Sequence, residues 1–202
     1  MASVTRNPRP LFVTTLPAGY DGQEVFYQST IAGTGGGATD TMATTGAVWH
    51  LRYRSASASA YKWEMVGGSA LDITSTTSPT NITATSPTSL STNPVVTLPN
   101  AGQYRLEVFA NGAAITVASK TAFLSIDFSG GMIETAVASG GAVLYSTTTT
   151  LVSTLHATYL KTVTGASTVL TMKAWVDSGA TFYPSNATTY PYGIRATPIR
   201  VG

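Results

Sequence analysis

The sequence predicts an all-β protein: a small three-stranded N-terminal module, a linker, and a C-terminal jelly-roll-like β-sandwich. Three observations carry this. Helix signals are nearly absent, whereas β-branched and aromatic residues recur in short runs between Gly, Pro and Asn turn clusters. Several runs alternate strictly: Trp49, Leu51 and Tyr53 with His50, Arg52 and Arg54, then Tyr61, Trp63 and Met65 with Lys62 and Glu64. Period two puts the aromatics on one face of a sheet and the charges on the other. Residues 94–202 then hold roughly seven or eight such runs, with turns about every 8–12 residues, as in a sandwich or jelly roll.

The elements follow in order. Residues 1–19 read as an extended arm, because Pro8, Pro10 and Pro17 disfavour helix and leave polyproline II or edge-strand conformations. Residues 20–71 read as the module, with strands EVFYQ (24–28), VWHLRYR (48–54) and YKWEMV (61–66). The Gly-rich stretch Ala32–Gly46 between the first two predicts a mobile loop. Three strands with one apolar face are about the minimum for independent stability. Residues 72–93 carry one charge and almost no bulky side chains. Such a stretch buries too little apolar area to offset its ordering entropy, so it reads as a linker extended by proline and threonine, or as an edge strand added to a neighbouring subunit. In residues 94–202 the expected strands are 95–98, 103–110, 114–117, 122–129, two within 143–163, 168–176 and 194–201.

Composition narrows the function. A hydrophobic fraction of 43% is enough for a core, and no run reaches the roughly 18 apolar residues of a membrane span, so membrane insertion is not expected. Charged residues are only 10%, against about 25% in an ordinary soluble domain. That suits a protein held in a fixed assembly, or extracellular durability, better than a free cytosolic enzyme. The net charge is +2 and the basic residues are scattered, which does not fit nucleic-acid binding. With no cysteine there is no disulfide framework, thiolate chemistry or Cys-based metal site. The N-terminus lacks the apolar stretch of a signal peptide, predicting synthesis in a cytosol without export by that route. The sequons at Asn81 and Asn186 then read as chance in a Thr-rich chain.

The residues offer little for catalysis, so neither a catalytic nor a metal site is expected, and no cofactor. His50 and His156 have no second ligand at metal spacing, and read as strand residues. Glu107 and Asp127 lie on predicted strands; as ladder neighbours they would resemble a paired-acid site, but ion pairs with Arg105 or Lys120 are the simpler expectation. No nucleophile elbow, P-loop, zincin or EF-hand pattern is present. Trp49, Tyr53, Tyr61 and Trp63 would suit sugar stacking, yet a module this small needs them as its core or as a subunit contact. A second aromatic set, Phe182, Tyr183, Tyr190 and Tyr192, falls in the loop-like TFYPSNATTYPYG and has the chemistry of either a recognition surface or a subunit contact.

Leu16-Pro17, DGQE at 21–24, WHLRY at 49–53 and YKWEMVGG at 61–68 together resemble a module of minor virion proteins of tailed bacteriophages, of the tail-associated and head-fibre kinds. The Gly-rich insertion at 32–46 departs from that pattern. LPNAGQYRLEVFANG at 98–112 and the closing ATPIRVG at 196–202 are similar to the opening and last core strand of tumour-necrosis-factor and C1q-like jelly rolls. These resemblances imply a non-enzymatic virion component, made in the host cytoplasm and assembled with other virion proteins. The arm and module would attach it, and the sandwich would project, as a homotrimer, from the tail or as a fibre. Capsid decoration and recognition of a host surface glycan or protein are the alternatives; a polysaccharide depolymerase is a more distant one.

Overall fold

A computed structural model of the protein describes residues 10–30, 47–75, 79–91, 94–128, 131–132, 142–146, 151–184 and 191–202. Among them it contains strands and no helix. In chain order these are β1 (Leu11–Val13), β2 (Glu24–Gln28), β3 (Val48–Tyr53), β4 (Trp63–Gly68), β5 (Leu71–Ser75), β6 (Thr88–Ser89), β7 (Val95–Leu98), β8 (Gly102–Ile115), β9 (Lys120–Phe128), β10 (Gly131–Met132), β11 (Ala142–Ser146), β12 (Leu151–Val163), β13 (Thr168–Val176), β14 (Phe182–Tyr183) and β15 (Tyr192–Val201).

The strands form two sheets. The larger has nine strands in the order β1-β2-β3-β4-β15-β8-β12, with β5 also beside β15 and β14 beside β8. The smaller has six, in the order β10-β9-β13-β6, with β11 beside β9 and β7 beside β13. Four pairings nest inside one another: β5 with β15, β7 with β13, β8 with β12 and β9 with β11. This is a long antiparallel hairpin rolled up on itself, the connectivity of a jelly-roll-like β-sandwich. Inner-facing residues alternate with outer ones, as in Tyr104, Leu106 and Val108 against Arg105, Glu107 and Phe109.

Two expected strands, 103–110 and 114–117, are one. β8 runs through Asn111 and Gly112, where two residues oppose the single Thr154 of β12. Gly112 has φ 69°, a conformation that costs glycine nothing, so the bulge bends the strand without ending it. A second irregularity lies at Pro198 of β15, where Ile199 is the extra residue against β8. Proline cannot donate to a ladder and is tolerated at such a bulge.

The division into separate module, linker and sandwich needs correction. The arm contributes β1, which runs parallel to β2 with Phe12 beside Phe26. The module is not separate: β4 pairs with β15 through Trp63–Val201 and Glu64–Arg200, so its strands extend the larger sheet. The segment 72–93 is not a free linker. It supplies most of β5, all of β6, and the buried Ile73, Ile82 and Leu90. Ile82 exchanges both backbone hydrogen bonds with Phe182. The Ala32–Gly46 stretch lies outside the described residues. One core runs from Val25 to Val201. Trp49 is fully buried, 5.6 Å from the Tyr27 ring and 6.4 Å edge-on to Tyr104, so module and sandwich share apolar contacts. Tyr61 adds a link, its hydroxyl donating to the Val163 carbonyl at 3.0 Å.

Candidate interaction surface

Among the described residues, the aromatics expected at a recognition surface or a subunit contact do not form an exposed cluster. Phe182 and Tyr192 are fully buried, on β14 and β15. Tyr183 is half-buried beside Ala114 of β8, and Tyr190 lies outside the described residues. Pro184 and Pro191 make the segment look like a loop, but its ends are strands held by β8, β5 and the bridge to Ile82. Trp49 and Trp63 are core as well, and Tyr53 packs edge-on against Trp63 at 5.2 Å.

One surface that the fold presents to solvent is the outer face of the nine-stranded sheet, assembled by register. Glu24 of β2 lies opposite Arg52 of β3, and Phe26 opposite His50. Arg52 Nε donates to Glu24 Oε1 at 2.7 Å, and His50 Nε2 lies 3.0 Å from Glu24 Oε2. The Arg52 hydrogen bonds, then that of His50, hold the Glu24 carboxyl below its ordinary range. Phe12, Phe26 and His50 form a ladder of rings at 5.0 and 4.8 Å. Glu64 of β4 receives Arg54 Nε at 3.3 Å and Arg200 Nε at 3.2 Å. At the turn before β2, Asp21 accepts from the Ser55 amide at 2.9 Å and hydroxyl at 3.0 Å, and its pKa is lowered by these bonds.

Further across, Arg195 of β15 sits between Asp72 of β5 and Glu107 of β8. Arg195 Nε donates to Asp72 Oδ2 at 2.9 Å, and the guanidinium pKa is raised by that hydrogen bonding and by the charges of Asp72 and Glu107. His156 Nε2 lies 3.7 Å from Glu107. Glu107 is thus not paired with Arg105, which shares its strand. Nor do Glu107 and Asp127 approach each other, since they stand on different sheets. Asp127 instead meets Lys173 at 3.5 Å. Asp72 and Glu107 are instead held on either side of one guanidinium, an arrangement for ion pairing. Among the described residues no three His, Asp or Glu side chains group as metal ligands.

Arg52, Arg54, Arg195 and Arg200 each hold a carboxylate; Arg105 meets none among the described residues. Beside it lie exposed apolar residues: Leu160 of β12, directly opposite in the ladder and 72% exposed, with Val66 and Ile199. These were legible in part. His156, Thr158 and Leu160 share the outer phase of β12, and Leu160 is the apolar residue in that polar phase. The chain matches no known protein-family model, and no curated protein sequence is similar to it.

Proposed function

We propose that this chain is a non-enzymatic structural component of a tailed-phage virion. Its N-terminal end attaches to a neighbouring virion protein, and the sandwich is displayed as a homotrimer. The observation that carries this reading is the edge of the larger sheet. Among the described residues, strand β1 ends the sheet, with Leu11 and Phe12 at 61% and 69% exposure. Edge strands of free proteins are usually blunted by charge, proline or covering loops, because they pair with any available strand. An apolar edge at the N-terminal end suits strand addition from a partner. The resemblance of residues 16–68 to a virion module supports the same assignment, as does the scarcity of charge.

The test is made on purified particles. Mass spectrometry is expected to find the chain in them, and Phe12→Asp is expected to lower its incorporation. A chain absent from particles sinks the assignment. Light scattering of the purified full-length protein is expected to give three times the chain mass, and a monomer sinks the trimer. Copy number then separates tail from head, since a capsid decoration protein is present in hundreds of copies.

A further inference from the structure

Three strands at one end of the larger sheet repeat one pattern. On β1 and β2 a ring on the outer face stands between two apolar residues on the inner face, as Leu11–Phe12–Val13 and Val25–Phe26–Tyr27. On β3 His50 stands in the same way between Trp49 and Leu51. Register sets the three rings side by side, with spacings of 5.0 and 4.8 Å. Neighbouring strands lie roughly 4.8 Å apart, so each strand adds one rung to the ladder.

Burial follows this pattern through β3 and β2 and stops at β1. Val25, Trp49 and Leu51 are fully buried, whereas Leu11 and Phe12 are exposed and Val13 is half-buried. Among the described residues, β2 is the only strand paired with β1. The next rung calls for a ring beside Phe12 and apolar side chains beside Leu11 and Val13, since cross-strand pairs of these kinds stabilise a sheet. β1 itself carries that triplet. When two copies of β1 run antiparallel about a twofold axis at Phe12, the two Phe12 rings face each other, and Leu11 of each copy faces Val13 of the other. Such a contact sets every residue close to its own copy, so a charged edge would repel itself. Pro10–Thr15 carry no charge. Pro10 has no amide to donate, which limits the ladder to three pairs.

We infer that β1 is a self-association edge, through which two copies of this chain join their larger sheets by antiparallel pairing of Leu11–Val13. This rests on the reading of the edge as an attachment point and names the neighbour there as another copy of this chain. Two exposed apolar side chains per copy bury far less than the roughly 800 Å² per partner of a stable complex. The contact therefore joins molecules already held close, as neighbouring trimers are on a particle, and dilute protein keeps the mass of a trimer.

The chain has no cysteine, so introduced thiols report position alone. Leu11→Cys and Val13→Cys are made in separate full-length chains, leaving Phe12 in place, and concentrated samples are mildly oxidised. Facing residues lie within the roughly 7 Å that a disulfide spans, whereas residues two places out of register do not. The mixture is expected to give a dimer on a denaturing gel without reductant, roughly tenfold or more faster than either variant alone. Phe12→Asp in both chains is expected to abolish it, and an unchanged thermal melt shows that the fold survives. On the unaltered chain, hydrogen exchange at Leu11–Val13 is expected to slow as the concentration rises. No dimer in the mixture, equal rates in the mixture and in each variant alone, an unaffected rate with Phe12→Asp, or exchange independent of concentration overturns the inference. On particles, a photoreactive phenylalanine analogue at position 12 is expected to cross-link to this chain. Links to a different virion protein overturn self-pairing and leave the attachment reading standing. A chain absent from particles sinks that reading, and the solution disulfides still decide the pairing.

Discussion

The β3–β4 hairpin and the stretch that follows it, residues 71–91, are opposite in composition and alike in burial. The hairpin carries Trp49, Leu51 and Trp63 in strict alternation. The stretch is mostly Ser, Thr and Pro, with Leu71, Ile73, Ile82 and Leu90 as its aliphatic residues. Yet Trp49 is 0% exposed, and Ile73, Ile82 and Leu90 are 3, 5 and 3%. The difference lies in what holds each in place. The hairpin brings its own apolar face and local pairing. The stretch borrows both from distant strands: β5 lies along β15, β6 along β13, and Ile82 bonds to Phe182. The entropy argument that marks such a segment as a linker weighs its own apolar area against its own ordering cost. It fails where strands 84 to 125 residues away in the chain supply the backbone partners.

The comparison can be broken most directly at Trp49. Trp49→Ala is expected to cost about 3–5 kcal/mol. Because the ring also packs on Tyr104, the whole chain is expected to unfold in one transition by circular dichroism and by fluorescence of the remaining tryptophans. Two separate transitions, with the sandwich unaffected, would restore the module as an independent unit. Ile73→Ala sharpens the other side. Because Ile73 is buried on the inner face of β5, the substitution is expected to cost about 2–4 kcal/mol in urea denaturation, whereas a linker residue would change stability by less than about 0.5 kcal/mol. The close pass of β5 and β15 is visible at Gly193, where a Cβ would stand 2.1 Å from the Ile73 carbonyl oxygen.

The smallest expected effect is at Glu24 of β2, which pairs with the hairpin's polar face. The folded pKa of Glu24 is depressed, so its contribution to stability is complete above the unfolded value near 4.5 and is lost as the pH falls through the folded value. Glu24→Gln is expected to lower stability at pH 7 by no more than about 1 kcal/mol, since the group is partly exposed. The difference from wild type is expected to shrink as the pH falls from about 5 toward 2 in parallel denaturation curves. A difference independent of pH would show that the side chain acts through packing alone.

The strands that could be read from sequence share a property. EVFYQ, VVTL and TVLTMKAWV were expected with the bounds they have, because alternation or continuous apolarity is visible within each. Those that could not be read are short or owe their pairing to others: β1, β5, β6, β10 and β14. The same distinction governs the surface. His50 on the polar face of β3 was legible, but its partner Glu24 depended on register with β2. The row Asp72, Arg195 and Glu107 joins three strands far apart in the chain, and no spacing encodes it. Phe182 and Tyr192 misled for the converse reason. Prolines near them signal a loop locally, whereas burial was decided by the strands on either side.

By itself the sequence determined the class of this protein. Period-two alternation needs only neighbouring residues, and it selects strands, assigns their inner faces and marks the aromatic hairpin. The nesting of β5 with β15 and β7 with β13, the union of module and sandwich in one core, and the row of Asp72, Arg195 and Glu107 were decided only by tertiary structure. Each depends on which strand edges meet and in what register. A one-residue shift would exchange the faces of a strand and separate every pair described above.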